Sequence, residues 1–231
     1  MRLLALKLFL LMLLCVIITN EISAQGVTKN GESTIYSPTF VNWNGGIGST
    51  LMLDKNGKRY GINLVVNGDF ASTTTDFSTD YTKSGDLSPE GTYAIVAIPH
   101  TVHTGYDYCP DHSVPGNNQM VVNGAKVTGK VVWAETITVV QNTNYRFTYW
   151  VQTVATGNPA SYAQLQLAIN VTDKSGLCSA PATITCSSWV QYIYTWNSGS
   201  ATSAILSLTD QNIVAQGNDF ALDDIVFQQV Y

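Results

Sequence analysis

The chain has 231 residues, of which 11 are basic, 16 acidic and only 12% charged in all. A formal net charge of −5 gives no cationic footprint for nucleic acid or an anionic membrane surface, which excludes proteins that bind by neutralising phosphates. Thr, Ser, Asn, Gly and Tyr carry most of the polar surface, a composition that suits an extracellular β-protein.

The N-terminus reads Met1-Arg2-Leu3-Leu4 to Lys7, then an apolar run from Leu8 to Ile18, then Thr19-Asn20-Glu21 and Ile22-Ser23-Ala24. A positive start, a short apolar stretch and a small residue at its end predict a secretory signal peptide over residues 1–24, cleaved after Ala24. An uncleaved anchor needs about 20 apolar residues, more than this run supplies. A lipoprotein signal is disfavoured because Leu14 precedes Cys15, which lies inside the apolar run. Removing Arg2, Lys7 and Glu21 leaves nine basic and fifteen acidic residues, a net of −6. The predicted destination is the extracellular space or the cell surface.

Residues 25–61 form a β-rich prologue or linker. Asn30-Gly31, Asn44-Gly45 and Asn56-Gly57 recur between β-type residues, and Asn-Gly suits a turn whose two central residues both need positive φ. Short strands are expected at Ile35-Tyr36, Phe40-Val41 and Leu51-Met52-Leu53, with a disordered linker as the alternative.

The main module spans residues 62–231. Strands are predicted at Ile62–Val66, Tyr93–Ile98, Met120–Asn123, Val131–Val140, Tyr145–Val154, Ala163–Val171, Thr183–Trp196, Ala204–Leu208 and Phe220–Phe227. Turn-rich joints such as Gln141-Asn142-Thr143-Asn144 and Asn197-Ser198-Gly199 separate them. No stretch holds a 3.6-residue period over ten positions. The expectation is an all-β, antiparallel β-sandwich of jelly-roll type.

The last strand carries the sharpest local signal. Phe220 and Leu222 are apolar on even numbers, whereas Ile225 and Phe227 are apolar on odd ones. Alternate residues face opposite sides of a strand, so the change of parity predicts an inserted residue, a β-bulge at Asp223–Asp224. Those carboxylates are then either metal ligands or caps for backbone donors that the bulge frees.

Three cysteines follow the signal: Cys109, Cys178 and Cys186. The short separation favours a Cys178–Cys186 bridge, with Cys109–Cys186 as an open alternative and one thiol left over. None has zinc-ligand spacing.

Several blocks together point to a family. They are Asn63–Phe70, Val131–Val139, Asn144–Trp150, Trp196-Asn197-Ser198-Gly199 and Asn218–Phe227. In this order and at these spacings they resemble the galactose-binding-like jelly-roll modules of secreted bacterial proteins, which include many carbohydrate-binding modules. The prologue resembles leaders of such modules in Bacteroidetes-type bacteria. The resemblance implies a structural calcium held near Asn67, Asp69, Asp223 and Asp224, although Ala71 stands where the pattern often has glutamate. Calcium takes six to eight oxygens, which carboxylates and turn carbonyls supply. It also implies that Asp111-His112 clamps a loop.

Parity then assigns the candidate sugar face. Tyr145, Phe147, Tyr149 and Val151 point to the core, so Arg146, Thr148, Trp150 and Gln152 point away. Leu165, Leu167 and Ile169 leave Gln164 and Gln166 outward in the same manner. A tryptophan beside an arginine and glutamines fits a glycan, with the ring against the apolar face of a pyranose and the polar groups on its hydroxyls. Tyr106 and Tyr108, in the loop His100–His112, are assigned to the rim. The alternative is that Trp150 lies under the prologue or a loop. Trp133, Trp189 and Trp196 read as structural. The three histidines, with Asp107, Cys109 and Asp111, match no known metal or catalytic spacing. Glu135 lacks an evident partner for glycoside hydrolysis, and no nucleophile, zinc-protease or nucleotide motif occurs. The function read from the chain is a non-catalytic, lectin-like glycan binder; a structural or adhesive surface protein is the alternative.

Overall fold

The computed structural model describes residues 52–53, 58–113, 117–156, 161–182, 186, 188–214 and 217–231. The predicted signal peptide and most of the prologue, including the strands expected at Ile35-Tyr36 and Phe40-Val41, lie outside these residues. Twelve strands are described: β1 (Met52–Leu53), β2 (Arg59–Tyr60), β3 (Thr82–Lys83), β4 (Thr92–Val96), β5 (Gln119–Asn123), β6 (Lys130–Thr138), β7 (Asn144–Thr153), β8 (Gln164–Ile169), β9 (Asp173–Ser179), β10 (Val190–Asn197), β11 (Ser203–Asp210) and β12 (Asp219–Gln229).

They build a β-sandwich of jelly-roll type. One sheet has the order β10-β7-β12-β5-β4-β3, the other β6-β11-β8-β9, and β1 pairs with β2 separately. Pairing is antiparallel except for the two-residue contact of β3 with β4, which is parallel. The apolar alternation explains the packing. Tyr145, Phe147, Tyr149 and Val151 of β7 meet Leu165, Leu167 and Ile169 of β8 and Ala204, Leu206 and Leu208 of β11 in one buried core. Tyr145 stacks on Phe227 at 4.8 Å, and Trp133 packs against Phe147 at 6.1 Å. Truncating such a ring to alanine costs about 3–5 kcal/mol, far more than any single surface contact.

The bulge in β12 forms where parity placed it. Asp223 faces Trp150 and Val226 faces Thr148, so Asp224 and Ile225 together oppose Tyr149. Asp224 takes φ +45°, and the inserted residue lets Phe220, Leu222, Ile225 and Phe227 all reach the core.

Three expectations need correction. Residues 62–66 do not form a strand. They run beside the second half of β12, where Leu64 N–H donates to Phe227 O at 2.8 Å and the Asn63 side chain stands in for a ladder partner. Its Oδ1 accepts Phe227 N–H at 2.9 Å and its Nδ2 donates to Ile225 O at 3.0 Å. Gly68 O accepts Ile225 N–H in the next turn, so close that any side chain at Gly68 would run into Ile225 O. Of the strand expected at Thr183–Trp196, Ser188 and Trp189 lie outside β10, which runs Val190–Asn197, residues 183–185 and 187 lie outside the described residues, and β9 was not anticipated.

A second, smaller core lies on the outer face of the six-stranded sheet. Ala94, Val121 and Ala221 are small outward residues on β4, β5 and β12. Val102 and Tyr106 of the segment between β4 and β5 pack onto them with Leu87 and Val154. Tyr106 is buried, and its hydroxyl donates to Asp219 at 3.0 Å. One half of this face is thereby covered by chain, and the half formed by β7 and β10 carries the candidate site.

Candidate functional site

Strand β7 sets Trp150 on the outer face, between Asp223 of β12 and Gln191 of β10. The bulge turns two consecutive carboxylates toward the loop above. Asp223 is fully buried; its Oδ1 accepts Asp224 N–H and its Oδ2 accepts His112 N–H, each at 2.8 Å. Burial pushes its pKa up to about 8, even though these two N–H donors pull the other way. Asp224 Oδ2 lies 2.6 Å from His112 Nδ1. The imidazole rests on the Trp150 indole at a centroid distance of 3.9 Å and 22° between planes, and it meets Trp189 edge-on at 5.7 Å. An aromatic tier of Trp150, His112 and Trp189 thus stands on the sheet, pinned by the Asp223–Asp224 bulge.

The loop carrying His112 is held from below as well. Gln119 Nε2 donates to Cys109 O at 2.8 Å and Ala97 O at 3.1 Å, and Gln152 Nε2 donates to Gln119 Oε1 at 3.0 Å. A Cys109–Cys186 disulfide ties it to the segment leading to Trp189. This corrects the expected Cys178–Cys186 bridge: Cys178 is buried in β9 on the opposite sheet, whereas Cys186 lies beside the loop over β7.

Of the seven residues expected to touch sugar, the structure brings few together. Trp150 is half-buried, with one face under His112. Tyr108 is 64% exposed, its ring stacked on His100 at 4.1 Å. Gln152 is a buried strut, and Tyr106 belongs to the second core rather than a rim. Arg146 is half-buried, with its guanidinium 4.8 Å from the ring centre of Tyr60 in β2. Gln164 and Gln166 stand on β8 in the other sheet, so they do not share a surface with Trp150. His112, Asp224 and Trp189 complete the tier. The parity shift and the Asp111-His112 pair signalled the first two; Trp189, read as structural, packs half-buried against the second core just before β10.

The calcium set can be tested on its oxygens. Asn67, Asp69 and Asp224 line one cleft of about 270 Å³, from which Asp223 is absent. Asn67 Oδ1 accepts Ser72 N–H, Asp69 Oδ1 accepts Ala71 N–H, Gly68 O is taken by Ile225 N–H, and both Asp223 oxygens are engaged. Among the described residues, the acid, His or Cys ligand atoms that gather in threes within 4.8 Å are those of Asp107, Cys109 and Cys186, and the two sulfurs are already bonded to each other. The hydrogen bonds on Asn67, Asp69 and Asp223 already engage part of the oxygen set on which a calcium ion, with its six to eight ligands, would draw. The expected result is one melting temperature in calcium and in chelator, read by thermal denaturation; a rise with calcium that Asp69→Ala abolishes would restore the ion.

No protein-family model matches the sequence, and neither does any curated protein. Solved structures give weak similarities. The enzymatically active domain of bacteriophage CBA120 tailspike protein 4 aligns over 73% of this chain at 13% identity and a TM-score of 0.46. This chain spans 21% of that tailspike chain. The CBM22-1 xylan-binding domain of Paenibacillus barcinonensis Xyn10C aligns over 70% of this chain and 91% of its own, at 15% identity and a TM-score of 0.44. TmCBM61, solved with β-1,4-galactotriose, aligns over 72% of this chain and 97% of its own, at 10% identity and a TM-score of 0.45.

Proposed function

We propose that this chain is an extracellular, non-catalytic glycan-binding module whose site is the outer face of the six-stranded sheet around Trp150. The observation that carries the reading is the aromatic tier itself. Trp150 and His112 are stacked nearly in parallel and braced by Trp189. Flat rings take the apolar face of a pyranose while neighbouring acceptors and donors take its hydroxyls. Tyr108, exposed on the same loop with its ring on His100, offers a further aromatic surface. The non-catalytic part rests on the carboxylates. Glycoside hydrolysis needs two acids flanking a cleft, whereas Asp223 supports the loop and Asp224 holds His112. Export would follow from the predicted signal at residues 1–24.

A second reading, a structural or adhesive surface protein, is favoured by a different observation. Its own chain covers parts of this face, with Tyr60 over Arg146 and His112 over Trp150. A glycan array probed with wild type and Trp150→Ala, both checked for fold by circular dichroism, separates the two. A specific signal in the wild type that falls at least about tenfold in Trp150→Ala, the size of a lost stacking contact, supports binding. Silence from a folded wild type favours the structural role.

A further inference from the structure

Building on the glycan-binding reading, we infer that His112 Nε2 is the atom of this surface that accepts a ligand hydroxyl, and that Asp224 sets the proton that makes it an acceptor. An ionised carboxylate only accepts hydrogen bonds. With Asp224 Oδ2 2.6 Å from Nδ1, the ring proton sits on Nδ1, and in the neutral ring the lone pair is left on Nε2. The ring is fixed in this sense by contacts from three separate parts of the chain. Its backbone N–H is held by Asp223 of β12, its face lies on Trp150 of β7, and its edge meets Trp189 before β10. Turning the ring over would set carbon against the Asp224 carboxylate. The His112 side chain is 24% exposed, and no hydrogen bond reaches Nε2 among the described residues.

This geometry defines the ligand class. A lone-pair acceptor beside a carboxylate, on top of an aromatic tier, suits a hydroxyl-bearing, uncharged sugar. It repels the carboxylate of a uronic acid and offers nothing to an acceptor-only carbonyl. Neutral polysaccharides are therefore the ligands, and Asp224 is a positioning residue that acts through His112.

The test has a part that needs no ligand. Long-range proton–nitrogen spectra of the full chain, at a pH where the imidazole is neutral, should show His112 with its proton on Nδ1. Asp224→Gly, which suits the positive φ at this position, should move that proton to Nε2. A wild-type His112 protonated on Nε2 overturns the inference. In the binding arm, neutral polysaccharide from the array should bind Asp224→Gly and His112→Phe about tenfold more weakly than wild type, the scale of one ligand hydrogen bond. His112→Phe keeps a ring on Trp150, so loss in this variant reports the nitrogen and not the stack. Undiminished binding by both variants, or a preference for uronate polymers, overturns the role of His112 while leaving glycan binding intact. A wild type that binds no glycan overturns both.

Discussion

The melting temperature of this protein should rise, not fall, as pH is lowered from 8 toward 5. Asp223 and Asp219 are both buried carboxyls whose pKa values are raised by desolvation, to about 8 and about 6, and burial raises Asp210 as well. In the unfolded chain these groups release their protons near pH 4. Between that pH and the folded pKa the native state binds more protons than the unfolded state, so stability falls as pH increases through the window. The contribution is complete below the unfolded value and is lost as pH rises through about 6 for Asp219 and about 8 for Asp223. At about 1.4 kcal/mol per unit the two together amount to on the order of 5 kcal/mol, or roughly ten degrees in melting temperature for a domain of this size. Asp86, the carboxyl held low among the described residues, is fully exposed and offsets little.

Asp223→Asn identifies the main source. Asparagine is neutral throughout, so the variant should have a flatter profile between pH 5 and 8 whatever its absolute stability. Calorimetry of both proteins across this range decides the matter. A wild-type profile that declines from pH 8 to pH 5 would mean that Asp223 and Asp219 are ionised in the folded state, with their hydrogen bonds outweighing burial.

The same bulge shows what sequence can and cannot reveal. The step from Phe220 and Leu222 to Ile225 and Phe227 is a parity argument within one strand, and parity follows from backbone geometry alone. It therefore located the bulge and its two carboxylates. The capping role considered for Asp223 is what its two N–H partners display. Parity also separated core from surface on β7 and β8. It says which residues leave the core but not which sheet a strand joins, so Gln164 and Gln166 were assigned to the face of Trp150. The chain crosses between sheets from β7 to β8, which places their outward sides on opposite surfaces of the sandwich. Strand β9 escaped notice because Lys174-Ser175-Gly176 interrupts its apolar pattern. Residues 62–66 looked like a strand by composition, yet two of their three hydrogen bonds to β12 pass through the side chain of Asn63. His112 was legible as a clamp, whereas its seat on Trp150 depends on a contact between distant segments that no local pattern encodes.

Replacing Cys109 and Cys186 together by serine should lower stability by about 4 kcal/mol, the chain-entropy value for a loop of this length. The bridge spans a sequence separation of 77. The cost of closing a loop grows only with the logarithm of its length, so shortness was a poor guide to the pairing, and a long loop gives the crosslink more to restrain in the unfolded chain. Its placement gives the substitution a second consequence. Cys109 lies three residues before His112 and Cys186 three before Trp189, so the bridge joins the two segments that meet over Trp150. The sandwich core does not depend on it, because Phe147, Phe227 and their neighbours pack across the sheets without either cysteine. The double variant should therefore retain its β-sheet circular dichroism while its tryptophan emission shifts to the red as Trp150 and Trp189 gain water. Serine substitution, unlike reductant, leaves Cys178 out of the comparison. Unchanged melting and unchanged emission would show that the hydrogen bonds of Gln119, Asp223 and Asp224 hold the tier without the crosslink. Loss of emission order with little loss of stability would place the bridge's effect on the loop and not on the unfolded chain.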